Sequence, residues 1–166
     1  MNRKYYRVGD HTFQIEFMDA CNDESLIPSF QKFELEEPLD PVLFTVVVED
    51  SFSWTQLGHE IGQFDCGGCN HGVYTLPDGT YQFVVSDVNG VPCCKMQSNA
   101  DFTLTHVAIK GTTWTQRNFG LNNAIMMAYA FATADKMTML MHASVIRCEG
   151  KGYLMTAPSG TGKSTH

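Results

Sequence analysis

Polar and apolar residues alternate along residues 12–18, Thr-Phe-Gln-Ile-Glu-Phe-Met. That two-residue period is the signature of a strand with one buried face. Residues 30–35 repeat it more weakly. Residues 42–48 are instead a continuous run of β-branched and aromatic side chains, which predicts a central strand. Between these segments, residues 21–28 are polar and suit one short helical turn. Residues 36–41 form a loop stiffened by Pro38 and Pro41.

Turn chemistry organises the next part. Pro77-Asp78-Gly79 separates residues 72–76 from 81–85, and Asn89-Gly90 separates the latter from residues 91–96. Asp-Gly and Asn-Gly tolerate the positive φ that tight hairpins need. Residues 102–109 and 113–119 extend the meander, with Lys110-Gly111 as the next turn. Residues 60–118 therefore predict an antiparallel sheet of about four to six strands.

The period changes after Gly120. Residues 121–136 hold no Gly or Pro and are rich in Ala and Met, which predicts a helix with Asn122 or Asn123 as its cap. Ile125, Met126, Met127, Tyr129 and Phe131 surround most of its axis, so it is expected to be largely buried. Residues 137–147 predict a strand, 149–152 a tight turn and 153–157 a returning strand. The fold class is α+β: an N-terminal antiparallel β-meander region, then one buried helix and a β-hairpin. Residues 1–118 form a β-rich accessory domain, and 119–166 begin a second unit.

The hairpin leads into the segment richest in chemistry. Ala157-Pro158-Ser159-Gly160-Thr161-Gly162-Lys163-Ser164 fits the phosphate-loop pattern G-x-x-x-x-G-K-[ST], with Ala at the first Gly. Gly160 and Gly162 let successive N–H groups turn inward as an anion-binding nest. Lys163 brings a charge to the β- and γ-phosphates, and Ser164 offers a hydroxyl to Mg²⁺. Ser159, Gly160, Thr161, Gly162, Lys163, Ser164 and Thr165 are the nucleotide-binding candidates, with ATP and Mg²⁺ as cofactors. A helix following the loop would aim its positive end at the same phosphates. Ser164 lies two residues before the last, His166. The sequence is therefore expected to be the front portion of a nucleotide-dependent enzyme. By itself it is expected not to turn over ATP, and to expose apolar surface around residues 140–155.

The ending from His142 to Thr165 resembles the bacterial HPr kinase/phosphorylase catalytic domain. It is most similar to the broader set of HPr-kinase-related and phosphoenolpyruvate-carboxykinase-like proteins. There a strand starts with His, a short Gly-containing hairpin follows, and its second strand enters the phosphate loop. The resemblance covers the last 25 to 45 residues or so. It implies that His142 sits beside the phosphates as the catalytic residue, and that Lys163 and Ser164 bind nucleotide and Mg²⁺. Thr165 stands where HPr kinases proper carry an acidic residue, so the resemblance does not extend to the protein HPr as substrate. The implied activity is transfer of the γ-phosphate to a hydroxyl of a protein, peptide or small molecule. Two alternatives are a nucleotide-regulated binding module and a carboxykinase-like lyase.

Charge and cysteine usage narrow the setting. The net charge of −7 resides in residues 1–50, with 11 acidic against 4 basic side chains. That argues against a nucleic-acid partner. No apolar run approaches the ~18 residues of a membrane span, and no secretory signal opens the chain. A phosphate loop implies the cytoplasm, where thiols stay reduced. The expected partners are nucleotide and phosphate acceptor, and a homo-oligomer is compatible with the sequence. Cys66, Cys69, His71 and Cys93 have the residue types and spacing of a zinc site. A second C-x-x-C is absent and the adjacent Cys93-Cys94 suits one ion poorly, so plain thiols are expected in preference to zinc or a redox pair. Trp54, His59, Glu60, Gln63, Phe64 and Asp65 form a polar-aromatic cluster, read as sheet surface in preference to a substrate cleft. Trp114 and Arg117 carry the same two readings.

Overall fold

The computed structural model describes residues 2–51, 56–65, 70–141 and 143–156. Its strands are β1 (Asn2–Val8), β2 (His11–Phe17), β3 (Glu34–Leu35), β4 (Thr45–Glu49), β5 (His59–Asp65), β6 (Asn70–Thr75), β7 (Tyr81–Ser86), β8 (Pro92–Ser98), β9 (Leu104–Ile109), β10 (Ser144–Cys148) and β11 (Lys151–Met155). One α-helix, α1 (Trp114–Ala132), follows the ninth strand. Short 3₁₀ helices occupy Glu24–Leu26 and Pro28–Phe33. The class is mixed α+β.

Nine strands form one sheet in the order β3-β1-β2-β4-β9-β8-β7-β6-β5. The predicted meander is its second half, β5 to β9, antiparallel throughout. Its turns are those that the sequence marks: Gly79 has φ +85 and Gly90 φ +81, angles a Cβ would oppose. The centre corrects the expectation of a purely antiparallel arrangement. β4 pairs in parallel with both β2 and β9. The chain leaves β4 through the whole meander and returns beside it, a long-range connection that no local signal announces. β1 is a further addition. It pairs with β2 across Gly9, itself at φ +58.

Further expectations about single elements are corrected. Residues 30–35 are largely the 3₁₀ helix Pro28–Phe33, leaving two residues of strand. Residues 113–119 are not a strand but the first turns of α1. Thr113 caps that helix, its Oγ1 accepting from the Gln116 N–H, while Gln116 Oε1 accepts from the Thr112 N–H. This variant of the Ser/Thr-x-x-Glu/Gln box outweighs the strand preference of Trp114 and Phe119. That helix spans positions 118 and 119. Finally, the strand expected over 137–147 is only β10, and its partner β11 begins at Lys151 rather than 153.

Nor is α1 largely buried. Its inner face carries Gly120, Ala124, Ala128 and Ala132 at four-residue spacing, beside Leu121, Ile125 and Tyr129. The small side chains let the helix lie close on β7, β8 and β9. Met126 faces outward, and Phe131, although partly exposed, stacks on Phe102 with centroids 4.6 Å apart. Apolar residues on both faces hide the amphipathic pattern from a reader of the sequence.

The core continues past the helix under β1, β2 and β4. Phe13 stacks on Phe44 with centroids 4.9 Å apart and on Tyr6 at 5.5 Å, with Phe30 and Tyr129 edge-on. Tyr129 also ties α1 to the first hairpin, donating its hydroxyl to the Val8 carbonyl at 2.9 Å. Among the described residues no helix is long and apolar enough to cross a membrane.

Candidate functional site

β10 and β11 form a hairpin of their own. Five cross-strand pairs run from Ser144↔Met155 to Cys148↔Lys151. Its connection is Glu149-Gly150, with φ of 49° and 76°. Positive φ at both central residues is the mirror-image turn that matches strand twist in two-residue hairpins. The expected tight turn is therefore present, and shorter than residues 149–152. The hairpin stands away from the main sheet. Val145, Ile146, Tyr153 and Leu154 are all exposed, as are Met139, Leu140 and Met141 before them. The sequence leads one to expect apolar exposure in this region.

β11 ends one residue short of the phosphate-loop motif, with Thr156 between. Ser159, Gly160, Thr161, Gly162, Lys163, Ser164 and Thr165 lie outside the described residues, and so does His142. The structure therefore describes the strands that lead to these groups, not the groups themselves.

The four zinc candidates divide similarly. Cys66 and Cys69 lie outside the described residues. His71, on β6, is 4% exposed, and its Nδ1 accepts from the Ser86 N–H at 3.3 Å. That bond places the ring proton on Nε2. Cys93 is buried in β8, with Sγ directed to the Val85 carbonyl at 3.4 Å. Burial pushes the neighbouring Cys94 thiol well up, which makes it a poor nucleophile. Of the cluster around β5, Trp54 lies outside the described residues. His59, Glu60, Gln63 and Phe64 are exposed along the sheet edge, where Gln63 donates to Glu60 at 2.9 Å.

Sequence reasoning gave no role to a group beside the start of α1. Ligand atoms of Asp19, Cys21 and Asp50 lie within 4.8 Å of one another. The cation beside them is Arg117, one of the ambiguous pair with Trp114. Its guanidinium donates to the Cys21 carbonyl and to Asn22 Oδ1, and lies 3.9 Å from Asp50. Asn22 in turn donates to Asp19 and Asp50. The network joins the polar stretch after β2 to the start of the helix. Asp50 beside Cys21 pushes that thiol up, which disfavours thiolate chemistry. Trp114 is exposed.

Burial holds the His71 imidazole below its ordinary pKa, with a side-chain interaction with Asn123 acting the other way. The sign of the consequence follows. Below about pH 6.5 the unfolded chain takes up a proton that the folded chain refuses. Stability should fall with acidification from that point until the lowered folded value is passed. Urea midpoints at pH 7.5 and 5.5 check this against a His71→Phe variant. Wild type should lose more stability between the two, and equal losses would refute the assignment.

No protein-family model, characterised protein or solved structure matches the chain.

Proposed function

We propose that residues 159–165 bind ATP with Mg²⁺, and that the chain supplies the front of an HPr-kinase-like phosphotransferase. The main support is the register of the last hairpin. Pairing Ser144 with Met155 brings the entry to β10 and the exit from β11 to one end of the hairpin. His142 lies two residues before that entry, and the motif begins two residues after that exit. A phosphate loop needs a strand running into it, and β11 is that strand.

The roles follow from the donor chemistry. The amides from Gly160 to Ser164 cradle the phosphates, and Lys163 neutralises the β- and γ-oxygens. The Ser164 hydroxyl is a hard oxygen ligand suited to Mg²⁺. Bound there, Mg²⁺ would supply positive charge to the phosphates, with the Ser164 hydroxyl as its protein ligand. His142 donates to the γ-phosphate or relays the proton from the acceptor hydroxyl. The acceptor is a protein, peptide or small molecule, in the cytoplasm. The nine-stranded sheet and α1 form the accessory part that selects it.

Titration of a fluorescent ATP analogue, with Mg²⁺, into the 166-residue chain tests the reading. Lys163→Ala removes a charge-assisted contact worth about 1.5–3 kcal/mol, so affinity should fall roughly 10- to 150-fold. Unchanged affinity would overturn the proposal.

A further inference from the structure

A groove of about 600 Å³ runs between the outer flank of α1 and the uncovered end of the main sheet. Phe64, Phe119, Met126, Met127, Phe131 and Leu140 supply its apolar walls. Among the described residues its two strongly polar side chains are His71 and Asn123, and no Lys, Arg, Asp or Glu of those residues lines it. The volume falls in the range of small-molecule sites, which join apolar walls to a few placed polar groups.

His71 gives the groove a chemical preference. Its Nδ1 is occupied by the Ser86 N–H, so Nε2 carries the proton and is a donor. Nε2 is buried and makes no hydrogen bond of good geometry; the Asn123 side chain lies near enough to interact with the ring but does not satisfy this donor fully. Asn123 spends its Nδ2 on the Phe119 carbonyl at 2.8 Å. A buried donor left without an acceptor costs stability, and a ligand that supplies one recovers that cost. Access takes a rotation of the half-buried Asn123 side chain away from the imidazole.

We propose that this groove binds an uncharged small molecule with an aromatic or branched apolar body and a carbonyl oxygen that accepts from His71 Nε2–H. The absence of any lining cation disfavours a carboxylate, which would enter an apolar groove without a counter-charge. The wall of Phe, Met and Leu favours an aromatic body, since Met sulfur and ring edges adapt to aromatic faces. The inference uses none of the residues of the proposed phosphate loop, and the test below does not depend on that reading.

A matched pair of probes tests the inference on the full chain. Acetophenone carries the carbonyl, and ethylbenzene has nearly the same body without it. Methionine-methyl and histidine-ring NMR would follow each titration. Acetophenone should perturb Met126 and Met127, shift the His71 Nε2–H signal, and bind about 2- to 10-fold more tightly than ethylbenzene. His71→Phe should remove that preference. Met126→Lys, at an exposed position, should abolish binding of both probes without unfolding the chain. The proposal fails if acetophenone leaves these signals unmoved at millimolar concentration. It also fails if both probes bind wild type equally, or if Met126→Lys binds as wild type does.

Discussion

Replacing Phe13 by Ala is expected to destabilise the chain by about 3–5 kcal/mol, the range for emptying a buried aromatic site. Phe13 has no solvent exposure and lies on β2, one strand from the parallel centre of the sheet. Its ring is the hub of an aromatic cluster. It is stacked nearly parallel to Phe44, with 4° between planes, and Phe30 meets it edge-on at 88°. Such pairs contribute about 0.5–1.5 kcal/mol each beyond the area they bury. Tyr6 and Tyr129 bring the first hairpin and the helix to the same ring, so the gap cannot close by moving one element. Domains have only about 5–15 kcal/mol in total, so the variant should sit near the edge of folding. Urea denaturation should show a midpoint lowered by more than about 1 M. A loss below about 1 kcal/mol would mean that the cluster is not the hub described.

The second large effect is predicted at Gly120, where the helix passes closest to the sheet. A Cβ there would meet Cys94 Cβ at 2.8 Å and the Cys93 carbonyl oxygen at 3.1 Å. One neighbour is strand backbone and the other a buried side chain, so neither yields cheaply. Helix propensity favours Ala over Gly by about 1 kcal/mol, which partly offsets the contact in Gly120→Ala. Valine adds two more methyl groups in the same place and restricts its own rotamers. Gly120→Val should therefore cost about 3 kcal/mol, the upper end for overpacking, by lifting α1 from β8. Gly62, on the open edge strand, has nothing within 4 Å of its hypothetical Cβ, so Gly62→Ala should stay within about 0.5 kcal/mol of wild type. Equal effects at the two glycines would contradict the packing.

These two sites also mark what the sequence displays and what it conceals. Strand period and Asp-Gly or Asn-Gly turns are local, and from them β6, β7, β8 and β9 were legible to within two residues at each end, while β5 had no bounds and residues 113–119 were misread. The turn at Glu149-Gly150 was legible for the same reason. Pairing of β4 with β2 and β9 joins residues up to 59 positions apart, as in Val46↔Thr105, and no spacing rule encodes it. The helix start was misplaced because Trp114 and Phe119 favour strands, although Thr113-x-x-Gln116 carried the capping signal. The close approach at Gly120 read as a break between elements; its companions Ala124, Ala128 and Ala132 show it to be the first of a stripe. Of the candidate site, the motif is plain in residue types alone. The structure adds the hairpin register that gathers its two flanks. The environment of His71 was not legible, since its partner Ser86 comes from the neighbouring strand.

The central claim is that the glycine-rich turn near the end of the chain holds a triphosphate. Backbone amide NMR of the 166-residue chain, titrated with ATP and Mg²⁺, tests it most directly. The amides of Gly160, Thr161, Gly162, Lys163 and Ser164 should shift together and saturate at one stoichiometric equivalent, while those of β1 and β2 stay in place. If these five amides hold still while ATP rises to millimolar concentration, the chain has no phosphate loop and the phosphotransferase reading falls.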